Sequence, residues 1–242
     1  GIDIVMTLDI SGSMIAEDLK PNRLEAAKAV GTEFLSSRPN DNIGLVIFAG
    51  ESYTLCPLTT DKKTLVNLMG TIKDGMMDED GTAIGMGLAN AVNRLKDSQA
   101  KSKVIILLTD GTNNRGEIDP MTASELAKAY GIRVYTIGVG TKGEAPYPVQ
   151  TIFGIQKQMV PVEIDEETLE AIAEKTGGHY FRATNNNSLK AIYNDIDKME
   201  KTKIKVTEHT SKNEEYLPYA IAAILLLLLE ILLRNTILRH IP

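Results

Sequence analysis

The sequence predicts an α/β protein with a doubly wound, mostly parallel sheet and helices on both faces of that sheet. Two observations lead to this prediction. Short apolar runs alternate along the chain with segments whose apolar residues recur at helical spacing. One run, VIILLT at residues 104–109, has no polar residue before its last position, which is typical of a strand buried on both faces. At 242 residues, 43% of them hydrophobic, the chain has room for one domain of roughly 200 residues and a further segment.

Six segments are predicted to be strands, because each is a short run rich in β-branched or other apolar residues. They are residues 2–8, 43–49, 51–58, 103–109, 133–139 and 179–182. Pro57 lacks a backbone N–H donor, so we expect the third strand to be short and to end there.

Six further segments are predicted to be helices: residues 23–37, 62–73, 83–97, 123–130, 166–175 and 188–201. In residues 83–97, for example, Ile84, Leu88, Val92 and Leu95 follow the spacing of one helix face. Because strands and helices alternate, right-handed crossovers and a parallel sheet are expected.

The charge balance argues against a nucleic-acid partner. The chain has 26 basic and 32 acidic residues and a net charge of −6, whereas binding to a phosphate backbone requires a basic surface. The one cysteine, Cys56, excludes an intrachain disulfide, and its apolar neighbours predict a buried structural thiol.

The C-terminal part of the chain predicts a membrane anchor. Residues 220–229 are ten apolar residues in succession, without the polar face of a soluble surface helix. We predict a transmembrane helix over residues 216–234, after a domain of residues 1–201 and a linker of residues 202–215. Within it, residues 217–233 would be roughly 25 Å long as a helix, slightly less than the hydrocarbon thickness of a bilayer, about 30 Å. Glu230 lies near its end, where it can pair with Arg234.

Basic residues beyond the span favour a cytoplasmic tail at residues 235–242 and a domain that faces outward. Lysines before the span weaken this charge signal. The chain begins at Gly1 with a strand directly after it, so we also expect it to be a fragment of a longer protein.

Five oxygen-bearing side chains near predicted strand ends indicate a site for a divalent metal ion. They are Asp9, Ser11, Ser13, Thr82 and Asp110. Two carboxylates and three hydroxyls are hard oxygen ligands, which suit Mg²⁺ or Mn²⁺. Asp9 and Asp110 follow two strands, and the carboxyl ends of parallel strands form the ligand-binding edge of such sheets. Taken singly, each residue has a structural explanation as a turn or helix-entry residue.

The run Asp9-Ile10-Ser11-Gly12-Ser13, together with Thr82 and Asp110, resembles the metal-ion-dependent adhesion site of von Willebrand factor A domains. The resemblance covers about residues 2–201 and implies a Rossmann-like fold of that type. It also implies that the serines and the threonine ligate the metal directly or through water, while the aspartates often act through water. A position left open on the metal would then bind an acidic side chain of a partner protein.

The segment of residues 141–162 and the tail from Leu238 to Pro242 are similar to the BatA-like proteins of the bacterial Bat aerotolerance family. This resemblance implies a bacterial inner-membrane protein whose domain faces the periplasm. It further implies other Bat proteins and a MoxR-type AAA+ ATPase as partners.

The insertion at residues 141–162 follows a predicted strand, so we expect it at the rim of the metal face. It can be a specificity element there or a hairpin that serves as structural cover. Glu144 or Glu163 within reach of the metal would mask its open position in cis.

Enzyme functions are less well supported by the sequence, and we predict a protein that is not an enzyme. A metal-dependent hydrolase of the phosphatase type would use Asp9 as nucleophile, but the second acid expected two residues later is Ser11. The third alternative is a structural scaffold with a vestigial metal site. We expect Asp9→Ala to abolish metal-dependent partner binding and to leave the fold intact, because the site should lie at the periphery of the core.

Overall fold

The computed structural model describes residues 1–152, 154–210 and 216–236. The chain divides into two units, Gly1–Glu200 and Lys201–Pro242. The first unit contains both sheets, and its larger sheet carries the candidate site.

The strands of the structure are β1 (Asp3–Asp9), β2 (Asn42–Phe48), β3 (Ser52–Thr59), β4 (Lys103–Thr109), β5 (Arg133–Val139), β6 (Glu144–Thr151), β7 (Gly154–Pro161) and β8 (Tyr180–Ala183). Six of them form one sheet in the order β3-β2-β1-β4-β5-β8. All neighbours in it are parallel except β2 and β3. The prediction of a mostly parallel sheet is therefore confirmed, with one antiparallel strand at its edge.

The helices are α1 (Arg23–Ser36), α2 (Lys62–Thr71), α3 (Ile84–Leu95), α4 (Pro120–Ala129), α5 (Glu166–Thr176), α6 (Asn186–Thr210) and α7 (Tyr216–Thr236). A short 3₁₀ helix, Gly12–Ile15, precedes α1. Helix α4 begins three residues earlier than predicted, because Asp119 caps it and Pro120 occupies its first position.

Alternate residues of the central strands pack against different helices, as the pleat of a β-strand requires. Val5 of β1 belongs to an apolar core with Leu88 of α3 and Leu169 of α5. Met6, the next residue of β1, lines a small cavity with Met69 of α2 and Tyr193 of α6. Helices thus cover both faces of the sheet, which confirms the doubly wound architecture. On β3, Cys56 is free and buried, as predicted.

The strand order places the candidate site at the reversal point of the sheet. From β1 the chain moves outward to β2 and β3, and it then returns to the other side of β1 to form β4, β5 and β8. Strands β1 and β4 are direct neighbours. Because the crevice at such a reversal is where doubly wound sheets bind ligands, a ligand site is expected at the carboxyl ends of β1 and β4.

The second unit contains helix α7, whose described side chains between residues 219 and 233 are all exposed. No helix in the part of the chain that the structure describes is both long enough and apolar enough to cross a membrane. Helix α6 continues to Thr210, beyond the predicted end at residue 201, and residues 202–210 contain no glycine or proline that would stop a helix. The rest of the predicted linker, 211–215, and tail residues 237–242 lie outside the described residues.

Candidate metal centre

Asp9 is the last residue of β1 and is completely buried. Its Oδ1 accepts a hydrogen bond of 2.9 Å from the backbone N–H of Ser11, and its Oδ2 accepts one of 2.5 Å from the hydroxyl of Thr109. The expectation that this residue lies at the periphery of the core is wrong, because Asp9 is still within the sheet and pairs with Phe48 of β2. Its carboxylate is held in place by residues at two strand ends.

Ser11, Ser13 and Asp110 form a chain of hydrogen bonds beside this carboxylate. The Ser13 hydroxyl donates to Oδ1 of Asp110 over 2.7 Å, although the two residues are 97 positions apart. The hydroxyls of Ser11 and Ser13 lie 3.1 Å from each other. Ser11 and Asp110 are buried. The structure therefore brings oxygen atoms from the ends of β1 and β4 together.

Thr82 reaches the same place from the loop before α3. It is buried, and its backbone N–H donates to Oδ1 of Asn114 over 2.9 Å. Its hydroxyl would lie only 3.1 Å from a Cβ atom on Gly111, the residue after Asp110, so a side chain larger than that of glycine would crowd Thr82. Thr82, Ser13 and Asp110 line one cleft.

Both site carboxyls are harder to ionise than ordinary aspartates. Burial, and then the neighbouring charge of Asp110, raise the pKa of Asp9 to about 7, although hydrogen bonds from Ser11 and Thr109 lower it in part. Burial also raises the pKa of Asp110, against the stabilising effect of Arg23. Two carboxyls that resist ionisation in a shared buried site would be stabilised in the ionised form by a cation beside them.

In the part of the chain that the structure describes, Arg23, the first residue of α1, is the cation that pairs with the buried Asp110. Its Nη1 donates to Oδ2 of Asp110 over 2.7 Å, and its Nε and Nη2 each donate to Asp18 over 2.7 Å. The side chains of Arg23, Asp18 and Asp110 are at most 4% exposed. With Asp9, Asp18 and Asp110 all ionised, the group carries three negative charges and one positive charge, a net charge of −2.

A divalent cation with oxygen ligands fits this group on two grounds. Its charge of +2 equals the deficit, and the carboxylate and hydroxyl oxygens of the site are the ligands that Mg²⁺ and Mn²⁺ prefer. In the described ranges of the chain, no group of three or more His, Cys, Asp and Glu side chains is arranged to hold a metal ion. The donors at this edge are two aspartates supplemented by hydroxyls.

Three functional contacts of this site did not follow from sequence reasoning: those made by Thr109, Arg23 and Asp18. Arg23 carries a signal, because it lies four residues before Ala27 on the inward face of α1, where a charged residue needs a buried partner. Thr109 carries a weaker one, as a hydroxyl residue directly before Asp110 at the end of an apolar strand. Asp18 has no local signal, because its partner is identified only by the tertiary structure.

The segment predicted as an insertion is a β-hairpin, formed by β6 and β7, and it contacts the loop that holds the serines. The Tyr147 hydroxyl donates to the carbonyl of Gly12 over 3.1 Å, and the N–H of Glu17 donates to the carbonyl of Pro146 over 2.8 Å. Lys157 forms an ion pair with Glu17. The hairpin is thus fixed against the residues that follow β1.

Between the hairpin and the ends of β1 and β4 lies a cleft of about 390 Å³. One side is polar and contains Ser13, Thr82, Asp110, Thr112 and Asn114; the hairpin and the residues after it supply Tyr147, Val160, Pro161, Val162 and Glu163. Glu163 is exposed and lines this cleft, whereas Glu144 is exposed and does not line it. Asp9 does not line the cleft either.

Residues 3–195 match the von Willebrand factor type A domain. An uncharacterized protein of Borreliella burgdorferi is 33% identical over 244 residues, which cover 100% of this chain and 71% of that protein. A UPF0353 protein of Mycolicibacterium paratuberculosis is 33% identical over 208 residues, which cover 80% of this chain and 59% of that protein. The chain spans less than two thirds of the length of this second relative.

Two solved structures from Bacteroides are similar to this fold. BatB of Bacteroides thetaiotaomicron is 32% identical with a TM-score of 0.71 and covers 83% of this chain and 100% of that one. An aerotolerance-related membrane protein of Bacteroides fragilis is 29% identical with a TM-score of 0.70, over 81% of this chain and 98% of that one. The resemblance to Bat proteins inferred from the sequence is thereby confirmed.

A third structure bears on the metal. Proximal thread matrix protein 1 of the mussel byssus, described with a zinc-occupied MIDAS motif, is 25% identical with a TM-score of 0.64. The similarity covers 82% of this chain and 45% of that chain.

Proposed function

The chain belongs to the von Willebrand factor type A family, and from that premise we propose that it is a metal-dependent protein-interaction module. Asp9, Ser11, Ser13, Thr82 and Asp110 hold Mg²⁺ or Mn²⁺ at the carboxyl edge of the sheet. An acidic side chain of a partner protein binds at this edge. The module has no catalytic role of its own.

One observation carries the proposal: among the described residues, the carboxylates of Asp9, Asp18 and Asp110, when all three are ionised, exceed the one guanidinium beside them by two charges. Arg23 donates two hydrogen bonds to Asp18 and one to Asp110, and no cation among the described residues pairs with Asp9. When bound, the metal supplies the missing charge and an open coordination position. Ser11 and Ser13 would supply neutral hydroxyl ligands, while Thr109 and Arg23 fix the carboxylates of Asp9 and Asp110 by hydrogen bonds.

Although the buried acids balance the charge of the metal over the group as a whole, incomplete neutralisation by its direct ligands would let a partner carboxylate bind there. Hydroxyl ligands carry no formal charge, so a cation held mainly by hydroxyls retains attraction for another anion. The cleft beside Ser13 and Asp110 gives a partner side chain access to this position.

The hydrolase alternative has less support. A nucleophilic aspartate has to reach its substrate, and Asp9 is completely buried, holds two hydrogen bonds and does not line the cleft. The scaffold alternative makes a different prediction from ours, since a vestigial site would not bind metal.

Calorimetric titration of Mg²⁺ and Mn²⁺ into the full chain in detergent tests the proposal. We expect saturable binding that is lost in Asp9→Asn and in Ser13→Ala. Asp195→Asn is the matched control. Asp195 is an exposed residue of α6 and does not line the cleft. Absence of heat in the wild type, together with a melting temperature that metal does not change, would favour the scaffold.

Although no helix of the described residues meets the length and apolarity of a membrane span, we also propose that residues 216–234 anchor the protein in the bacterial inner membrane, with the domain in the periplasm and residues 235–242 in the cytoplasm. The support is the apolar run of residues 220–229, the basic residues after it, and the description of the Bacteroides fragilis relative as a membrane protein. In intact cells, a membrane-impermeant maleimide should label Lys63→Cys and leave Arg239→Cys unlabelled. The reverse pattern would invert the proposed orientation.

The proposed partners are other Bat proteins and a MoxR-type AAA+ ATPase. The support is the similarity to BatB and to an aerotolerance-related protein, which ties the chain to that group. Co-purification in Mg²⁺, compared with the same experiment in a chelator and with Ser13→Ala, tests whether any such partner depends on the metal. A partner that is retained equally in all three conditions would bind elsewhere on the chain.

A further inference from the structure

The cleft beside the candidate metal centre has a polar end and an aliphatic wall. Ser13, Thr82 and Asp110 form the polar end. Val160, Pro161 and Val162 form the wall, which no part of the proposed metal site uses. Both valines are half-buried, so each presents apolar surface toward the cleft while its strand or loop remains packed.

The wall is fixed relative to the polar end before any ligand binds. Asp18, which Arg23 holds, accepts a hydrogen bond of 2.8 Å from the N–H of Thr141 at the start of the hairpin segment. At the other end of the hairpin, the N–H of Val162 donates to the carbonyl of Gly143 over 2.8 Å. With the contact of Tyr147 to Gly12, these bonds tie the hairpin to the residues that follow β1. A preformed surface loses less conformational entropy on binding than a mobile one.

The volume of the cleft exceeds what a single carboxylate group needs. At about 390 Å³ it lies in the range of pockets that enclose several side-chain groups. A partner residue whose carboxylate reached the metal would leave the rest of the cleft, including the wall of Val160 and Val162, for its neighbours in the chain. Aliphatic surface there is removed from water only if the neighbour that contacts it is itself apolar.

The charges of the lining residues further restrict which partner residues can bind in the cleft. Among the residues that line the cleft, Arg23 and Asp110 are paired with each other, and Glu163 is the remaining charged residue. Its exposed carboxylate lies next in sequence to the wall and disfavours a second acidic residue of the partner at that position.

We propose that the cleft binds an extended segment of a partner protein in which a single acidic residue is followed or preceded by an aliphatic one. The acidic side chain binds the metal, and the aliphatic side chain packs on Val160, Pro161 and Val162. This inference rests on the proposed function, because it requires the metal to hold the acidic residue.

Peptide display on the full chain tests the inference. A random peptide library is bound in Mg²⁺ and eluted with a chelator, and synthetic copies of the enriched peptides are titrated into the protein. We expect the eluted peptides to share one Asp or Glu with Val, Leu or Ile directly beside it. Replacing that aliphatic residue by Ser should weaken binding about tenfold, the effect of losing one buried aliphatic contact.

Variants of the protein distinguish the contribution of the aliphatic wall to peptide binding from that of the metal. Val160→Thr combined with Val162→Thr preserves side-chain shape, so we expect unchanged Mg²⁺ affinity, about tenfold weaker peptide binding and no preference for an aliphatic neighbour. The matched control is Val149→Thr with Ile155→Thr, which also replaces two aliphatic side chains by threonine, on hairpin residues that do not line the cleft. The control should bind peptides as the wild type does.

Failure of the inference and failure of the proposed function give different results. Peptides that share an acidic residue but no aliphatic neighbour would overturn the inference and leave the metal-dependent function standing. Equal peptide affinity in the Val160/Val162 variant and the control would do the same. If the chelator eluted no peptides and calorimetry gave no heat with Mg²⁺, both results together would overturn the proposed function and the inference with it.

Discussion

Two groups of buried charges lie at opposite edges of the same sheet, and they are balanced differently. At the amino edge, Glu200 of α6 meets Arg133, the first residue of β5. At the carboxyl edge, Asp9, Asp18 and Asp110 share Arg23. Both groups combine carboxylates, hydroxyls and one guanidinium.

The amino-edge group is complete within the fold. Oε1 of Glu200 accepts hydrogen bonds from Arg133 over 2.9 Å and from the Tyr135 hydroxyl over 2.5 Å. Oε2 accepts one from Ser102 over 2.8 Å and another from Arg133. Burial alone would raise the pKa of Glu200, but these hydrogen bonds outweigh it and the pKa is lowered.

In the carboxyl-edge group, hydrogen bonds and Arg23 do not fully offset the effect of burial on the ionised carboxylates, since the pKa values of Asp9 and Asp110 are raised. Burial of a carboxylate therefore does not by itself indicate function, since both groups are buried and only one has raised pKa values. What distinguishes the two edges is whether the fold supplies enough positive charge and hydrogen-bond donors to stabilise the ionised form.

The largest effect should come from Arg23→Met, which leaves Asp18 and Asp110 buried without a cation. In a chelator we expect a loss of about 3–5 kcal/mol in the free energy of unfolding, measured by urea titration with circular dichroism. Mg²⁺ at a hundred times its Kd should recover about 2–3 kcal/mol of this loss, because the metal binds the folded state. If Mg²⁺ restored nothing, the carboxyl edge would be a structural group like the amino edge.

Glu200→Gln should destabilise the protein by about 2–3 kcal/mol, because it removes the charge that compensates Arg133 in a mostly buried pair. The same urea titration should give equal losses in Mg²⁺ and in chelator. A loss that depended on Mg²⁺ would mean that the two edges are energetically coupled, contrary to the comparison.

The stabilisation from Glu200 should also depend on pH with a defined sign. Its pKa is lower in the folded protein than the ordinary glutamate value of 4.5. The contribution is therefore complete above about pH 4.5 and is lost as the pH falls through the folded pKa. We expect the stability difference between wild type and Glu200→Gln to shrink below pH 4.5. A difference that stayed constant down to pH 3 would show that the charge of Glu200 does not matter.

Thr109→Val should weaken Mg²⁺ binding about tenfold, because Thr109 orients the Asp9 carboxylate by a hydrogen bond. We also expect a stability loss of about 1 kcal/mol from the lost bond. Thr136→Val is a useful control, since Thr136 is a buried threonine of β5 that donates to a backbone carbonyl away from the site. Calorimetry that found the same Mg²⁺ affinity in both variants would argue against an orienting role for Thr109.

The smallest effect should come from Glu163→Gln. If Glu163 acts only through its exposed charge at the cleft, Mg²⁺ binding should weaken about twofold, as expected for a solvent-screened charge. Glu144→Gln, the matched control, should have no effect, because Glu144 does not line the cleft. A loss greater than tenfold in Glu163→Gln would instead support direct ligation of the metal in cis.

Predicted strands and helices of the domain agree with the structure to within three residues at each end, except for the end of α6. The strand 103–109 was found as predicted, because an unbroken apolar run of that length identifies a buried strand. The placement of Asp9 and Asp110 at strand ends followed from the same runs. Helix α4 was placed too late because a cap and an N-terminal proline extend a helix beyond its apolar pattern.

The sequence by itself determined the α/β architecture and the strand ends at which the candidate site lies, and it predicted the five oxygen donors, since these depend on periodicity and on motifs of adjacent residues. The tertiary structure alone decided which charges balance. Ser13 meets Asp110 across 97 positions and Arg23 meets Asp110 across 87, while Ser102 meets Glu200 across 98. Such pairs are set by the packing of strands and helices, and whether a buried carboxylate is satisfied depends on groups that sequence spacing does not place beside it.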